Sequence, residues 1–363
     1  MKKNKNYVDL KDQPVPEGQH LLEVDDLKMY FHTEDGVVRA VDGVSYTLDR
    51  GETLGVVGES GSGKSVTAMT IMGLISMPPG KIEGGDVRYR GRSILEMTEE
   101  EMQHIRGNDI AMISQDPMTS LNPVYKIGKQ VGEGLRLHRG YSKQEALKRA
   151  TELLDLVGIP EPEKRVNEYP HQFSGGMRQR VMIAMALACD PDILIADEPT
   201  TALDVTIQAQ IIELMQEMQE KNGNAIIMIT HDLGVVADMA DKIMVMYAGR
   251  PVEFGTAEEI FYESRHPYTW GLIRSIPEQA IEEKKPLTPI HGNPPSLMNL
   301  PEGCVFSPRC PYATDKCRKQ RPERVVTESG HYSACHYSGD PEFLKNAPET
   351  SRTRKDSKKG GEA

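Results

Sequence analysis

Four short apolar runs punctuate an otherwise mixed chain: Thr53 to Val57, Ile193 to Ala196, Ala225 to Ile229 and Ile243 to Met246. They are separated by longer periodic stretches and show little polar alternation, as strands covered on both faces by helices would. The pattern predicts an α/β core with a parallel sheet. Between Arg92 and Arg180 the period lengthens to that of a helix. One helix starts where Ser-Lys-Gln-Glu, beginning at Ser142, forms a capping box. It continues with Leu147, Ala150, Leu153, Leu154 and Val157 on one face and stops at Gly158, ahead of Pro160. Residues of about 92–180 therefore read as an inserted helical subdomain within a unit spanning 21–260. Past Phe261 the chain becomes proline-rich, with HPYTW, IPEQA and HGNPPSL, and then enters a cysteine cluster. We expect a separate C-terminal extension over 261–340. Residues 1–20 read as a polar tail, and 341–363, ending PETSRTRKDSKKGGEA, as disordered. There is no internal repeat.

Composition narrows the function classes. Of 363 residues, 38% are hydrophobic and 27% charged, the balance of a globular protein. The longest apolar run, Val181 to Cys189, is well short of the roughly 20 residues a spanning helix needs, so the chain is not expected to cross a bilayer. Its start is basic but lacks the apolar segment of a secretory signal. A formal net charge of -11 argues against a nucleic-acid partner. Five cysteines, four of them between Cys304 and Cys335, do not resemble a secreted disulfide framework and favour a reducing compartment.

The strongest chemical signal is Gly58-Glu-Ser-Gly-Ser-Gly63-Lys64-Ser65, which fits GxxxxGK[ST] between the apolar run TLGVV and the helical pattern VTAMTIMGL. The backbone amides of Ser60, Gly61, Ser62 and Gly63 can turn inward as an anion nest, reinforced by the positive end of the following helix. Lys64 would reach the β and γ phosphates of a nucleotide, and the Ser65 hydroxyl would ligate Mg²⁺. A second acidic site lies at the end of the run Ile193 to Ala196, the edge at which open α/β sheets bind ligands. There Asp197 can support the metal through water, and Glu198 can act as general base on the attacking water.

With FSGGMRQR, containing Ser174, Gly175 and Gly176 shortly before Asp197, the set closely resembles the ABC ATPases. The resemblance covers about Leu21 to Ile260. It implies a P-loop NTPase core of ABC type with an inserted α-helical subdomain and an antiparallel β portion. It also implies that Ser174, Gly175 and Gly176 of one subunit cap the γ-phosphate held by another, so that one chain supplies two half-sites. Met177 stands where the family usually has glutamine. Gln115 in MISQDP resembles the family's Q-loop glutamine, a ligand of Mg²⁺ that senses the membrane partner. Asp204 ending TALD resembles the D-loop aspartate at the dimer interface. His231 in ITHD resembles the H-loop histidine, which touches the γ-phosphate and positions the water and Glu198. Phe31, with Tyr30 as the alternative, resembles the aromatic that stacks on adenine.

Within that family, MISQDPMTSLNP, FSGGMRQRVMIAMAL, HPYTW and the cysteine-bearing tail are similar to the ATPases of oligopeptide and dipeptide importers, the D-type subunit in particular. The implied assembly joins a second ATPase subunit, as a heterodimer, to two integral-membrane permease subunits on the cytoplasmic face of the membrane. An extracytoplasmic peptide-binding protein would act with them indirectly. Alternatives are an importer of nickel or another small solute in the same group, and a soluble ATPase of this type acting on DNA or ribosomes. The chain has neither the paired cassettes nor the long heptad arms usual in the last class.

Cys304, Cys310, Cys317 and Cys335 form C-x5-C-x6-C-x17-C. Soft thiolates favour an iron–sulfur cluster or zinc, and the spacing lacks the C-x2-C pairs of zinc knuckles. The segment resembles the tail of importer ATPases that carry a [4Fe-4S] cluster. Zn²⁺ and unliganded thiols remain alternatives, with His331 and His336 as substitute ligands. Cys189, alone in an apolar helical stretch, reads as a buried hydrophobe.

Overall fold

The computed structural model describes residues 10–115, 120–200, 205–276 and 289–348. The chain opens with a hairpin, β1 (Leu22–Thr33) and β2 (Gly36–Leu48), followed by β3 (Thr53–Val57) and α1 (Lys64–Ile71). Next come β4 (Gly80–Tyr89), β5 (Arg92–Ser93), α2 (Glu99–Ile105) and β6 (Ile110–Ile113). A helical block holds α3 (Ile127–His138), α4 (Lys143–Leu156), α5 (Pro162–Arg165) and α6 (Gly175–Leu187). The chain then alternates through β7 (Ile193–Asp197), α7 (Val205–Asn222), β8 (Ala225–Thr230), α8 (Leu233–Met239), β9 (Lys242–Tyr247) and β10 (Arg250–Thr256). The remainder contributes α9 (Ala257–Tyr262), α10 (Pro267–Ile273), α11 (Asp315–Lys319), β11 (Val325–Val326), β12 (Tyr332–Ser333) and α12 (Pro341–Leu344).

These strands build two sheets. One is antiparallel, in the order β2-β1-β4-β5; the other runs β11-β12-β10-β9-β3-β8-β7-β6 and is parallel from β9 to β6. The four apolar runs are its central strands. Their lack of polar alternation has a direct cause. Ile193 and Ile195 face a core shared with the antiparallel sheet, α1 and α2, while Leu194 and Ala196 face one shared with α3, α4, α6 and α7. Neither face meets water, so the polar alternation of a half-exposed strand is absent.

The helical block starts later than the sequence pattern suggests. Within about 92–180, β6 is the edge strand of the main sheet, pairing Ile110 with Ile193 and Ile113 with Ala196. Helix α4 has its expected capping box, Glu145 N–H to Ser142 Oγ at 3.3 Å and Ser142 N–H to Glu145 Oε2 at 2.8 Å. Its buried face differs by one residue. Ala146 is buried with Ala150, Leu153 and Leu154, whereas Leu147 is 39% exposed, because 146, 150, 153 and 157 follow the helical repeat more closely.

Both ends of the described chain are more structured than their composition suggests. Leu10, in the stretch expected to be a polar tail, is buried, and Lys11 donates to the carbonyls of Asn108 and Cys189. Strands β11 and β12 extend the main sheet through β10, pairing Phe254 with Tyr332 and Glu253 with Ser333, so the segment after 261 is built onto the core. Helix α12 lies in the stretch expected to be disordered, and its Phe343 packs against Trp270, Tyr312 and Tyr337. The rest of that stretch, 349–363, lies outside the described residues. Among the described residues no helix is long and apolar enough to cross a membrane.

Candidate nucleotide site

The site lies along the C-terminal ends of β3, β6, β7 and β8. After Val57 the chain turns at Gly58, with φ 150°, and enters α1 through Gly63, with φ 102°. A Cβ at Gly58 would stand 2.2 Å from the Met246 carbonyl oxygen, and one at Gly63 would stand 2.3 Å from that of Ala40, so both positions require glycine. The loop between them is braced by Gly249 N–H, which donates to Ser62 O at 2.9 Å. Ser60 and Gly61 are exposed, whereas Ser62, Gly63 and Lys64 are buried. Lys64 Nζ donates to Gly58 O at 2.7 Å and Glu59 O at 3.0 Å, which folds the lysine over its own loop. Burial lowers the Lys64 pKa, against the opposing pull of Glu198, Asp197 and Glu59.

The acidic residues meet this loop from β7. Ser65 Oγ donates to Asp197 Oδ1 at 3.0 Å. Burial raises the Asp197 pKa, and the neighbouring Glu198 adds to the rise, while the Ser65 bond and Lys64 work against it. Glu198 has φ 48°, an unfavourable conformation for a residue with a Cβ, held by its N–H donating to Ile229 O at 2.8 Å. This turn places the carboxylate between two partners. Gln115 Nε2 donates to Glu198 Oε2 at 2.9 Å, and His231 Nδ1 lies 3.3 Å from Glu198 Oε1. Lys64, Ser65, Asp197, Glu198, Gln115 and His231, drawn from separate stretches of sequence, thus form one linked set. Its oxygen donors, the Ser65 hydroxyl, the Asp197 and Glu198 carboxylates and the Gln115 amide, are the hard ligands that suit Mg²⁺.

Other expected residues lie apart from this set. Ser174 caps α6, accepting from Met177 N–H at 3.3 Å, and both Ser174 and Gly175 are exposed. Gly175 faces open space. No hydrogen bond among the described residues joins 174–176 to the phosphate loop. Tyr30 Oη donates to Asp42 at 2.9 Å, and burial with that bond pushes its pKa up to about 12. Phe31 is half-buried against the antiparallel-sheet core. Asp204 lies outside the described residues.

Three further residues at the site are not singled out as site residues by the sequence pattern. Glu59, a variable position of the motif, is bound through its carboxylate by Arg309 and through its N–H by Tyr268 Oη at 2.9 Å. Tyr268 falls within HPYTW and Arg309 directly precedes Cys310, about 210 and 250 residues downstream. No local periodicity reports such a distant pairing.

Cys304, Cys310, Cys317 and Cys335 line one small cavity, with Phe306 and His336 among its other walls. Burial pushes the Cys310 thiol up to about 11 and the Cys335 thiol up to about 12, and it raises Cys304 as well. The sulfurs share this space without converging on a point: among the described residues no group of three or more His, Cys, Asp or Glu is arranged to hold a metal ion. His331 turns elsewhere, its Nε2 3.0 Å from the buried Glu253 carboxylate. His336 Nε2 is 2.9 Å from Gln320 O. Cys189 is buried in the helix-facing core.

Comparison with known proteins agrees along the chain. The profile described as ABC transporter matches residues 41–201, and that described as oligopeptide/dipeptide transporter, C-terminal region, matches 252–317. The chain is 58% identical to the oligopeptide transport ATP-binding protein OppD of Bacillus subtilis, covering 86% of this chain and 87% of that one. It is 52% identical to the dipeptide transport ATP-binding protein DppD of Escherichia coli, covering 88% and 97%. Among solved structures it is similar to an ATP-binding cassette captured as a dimer in a post-hydrolysis state with ADP and Pi. That match has a TM-score of 0.60 at 28% identity and covers 65% of this chain and 98% of that one.

Proposed function

Because the chain belongs to the ABC transporter family, among the ATP-binding subunits of oligopeptide and dipeptide transporters, we propose that it hydrolyses ATP to drive peptide import. It would work on the cytoplasmic face of the membrane, paired with a second ATPase subunit and docked on two permease subunits. An extracytoplasmic binding protein would deliver peptide to that assembly. The observation that carries the reading is the linkage of Gln115 and His231 to one carboxylate, Glu198, beside the Lys64–Ser65 loop. The names of its relatives favour peptides over nickel or other small solutes, and transport over work on DNA or ribosomes.

In this mechanism the loop amides from Ser60 to Gly63 receive the phosphates, and Lys64 exchanges its contacts with Gly58 O and Glu59 O for phosphate oxygens. Ser65 and Gln115 would hold Mg²⁺ directly and Asp197 would hold it through water. When bound, the ion would neutralise charge on the phosphate oxygens. Glu198 accepts the proton of the attacking water, with His231 fixing the orientation of the carboxylate and touching the γ-phosphate. Ser174 and the amides of Gly175 and Gly176, at the exposed start of the 13-residue helix α6, are free to face the phosphates held by another subunit. Asp204 would lie at that interface, and Phe31 would stack on adenine.

The four cysteines would hold a [4Fe-4S] cluster, with Zn²⁺ the alternative. The soft donors and their shared cavity are the grounds for this reading, although among the described residues they are not arranged as a metal site.

ATP-dependent uptake of labelled oligopeptides and dipeptides into vesicles carrying the reconstituted importer tests the whole reading. Uptake that requires this subunit and Mg-ATP is the expected result; uptake indifferent to either would overturn it.

A further inference from the structure

We propose that Arg309, from the segment beyond the nucleotide-binding core, is a positioning residue that presets the phosphate loop through Glu59. The inference rests on the nucleotide-site reading above and adds to it a part supplied by the C-terminal extension.

Arg309 Nη1 lies 2.5 Å from Glu59 Oε2, and Nη2 lies 3.0 Å from Glu59 Oε1, a two-pronged pairing that fixes direction as well as distance. The guanidinium's remaining contacts are to His291 O at 2.9 Å through Nε, Tyr247 Oη at 3.3 Å through Nη1 and Ile290 O at 3.1 Å through Nη2. The fork is therefore fully occupied, and its side chain is only 4% exposed. Such a group has one available pose, and Glu59 is tied to it.

Glu59 is held a second time, at its backbone, by Tyr268 Oη, whose ring packs on Tyr247 at 4.6 Å and on Phe306 at 5.4 Å between ring centroids. The same residue presents its carbonyl to Lys64 Nζ. A displacement of Glu59 therefore moves the acceptor that orients the lysine and the amides that follow it. A surface ion pair would have little effect of this kind. Here the arginine is buried, its partner lies inside the phosphate loop, and both anchors come from beyond residue 260. The conformation of the loop thus depends on a segment that a minimal P-loop core lacks.

The test is Mg-ATP binding to the full-length chain and steady-state ATPase of the assembled importer. The variants are Arg309→Ala, Arg309→Lys, Glu59→Ala and the double Arg309→Ala/Glu59→Ala, each with an apo melting curve. Each single alanine variant is expected to weaken Mg-ATP binding and raise KM about tenfold, with a much smaller change in kcat. The double should be no worse than the worse single, because both remove one linkage. Arg309→Lys should recover only part of the loss, since an ammonium cannot make the paired contact. If Arg309→Ala does not fold, Arg309→Lys and Glu59→Gln, which keep their volume, carry the same expectation at a smaller size. Folded variants with unchanged affinity and KM but a lowered apo melting temperature would reduce Arg309 to a packing role and overturn the proposal. So would losses that multiply in the double. A wild-type chain that fails to bind Mg-ATP would remove the nucleotide reading and this one with it, whereas wild-type binding with unaffected variants would remove this one alone.

Discussion

Glu198 stands where β6, β7 and β8 end side by side, and its carboxylate is shared between Gln115 and His231. Its place at the end of an apolar strand marked it as a candidate base. Its left-handed backbone and its bonds to Gln115 and His231 depend on β6, β7 and β8 being neighbours. With Glu198→Gln, Mg-ATP binding should persist while the ATPase rate of the assembled importer falls at least about a hundredfold, the usual scale of a lost general base. Wild-type turnover would remove Glu198 from that role. Glycine positions carry a different kind of information. The motif required Gly63, but only the structure explains its intolerance of a side chain, since a Cβ would stand 2.3 Å from Ala40 O at φ 102°. Gly63→Ala should therefore cost about 2 kcal/mol or more in stability, read by denaturant unfolding, and should impair nucleotide binding. Glu59 and Arg309 were invisible by the same reasoning, because neither lies in a pattern with a local period.

At the scale of elements, the strands that could be read were those buried on both faces. Thr53–Val57, Ala225–Thr230 and Lys242–Tyr247 announce themselves by composition. Strand β6, with only four residues between helical stretches, does not, and neither do the two-residue strands β11 and β12, whose existence depends on an edge offered by β10. Helix α4 was legible through its capping chemistry, which is local and so survives without tertiary context. Replacing Ser142 with alanine should lose about 1 kcal/mol of stability, measured as a lower unfolding midpoint with an unchanged denaturant slope. No change would mean that packing of Ala146, Ala150 and Leu153 alone holds the helix.

For the whole molecule, the main departure from the sequence reading is that the described parts of the two terminal stretches, 10–20 and 341–348, pack onto the core. Composition alone called for a polar start and a disordered finish, yet Leu10 is buried and Phe343 joins an aromatic cluster with Trp270 and Tyr312. A few apolar residues in a polar context suffice when the core offers them a seat. The cysteine segment between these ends has its own test. Protein purified anaerobically should show visible absorption and bound iron if the four thiols hold a cluster, and both should fall in Cys335→Ser. A colourless protein containing zinc would select the alternative, and one with neither would leave the thiols as a partly buried apolar wall.

Strand β10 has one flank on β9 and the other on β12, whose residues follow some 78 positions later. During synthesis the first neighbour emerges beforehand and the second long afterwards. At ordinary elongation rates this leaves a bare strand margin on the growing polypeptide for roughly 4 to 16 seconds. A ribosome stalled within that interval would present an adhesive ribbon to chaperones, and only the emergence of Tyr332 and Ser333 from the ribosome would let it be covered.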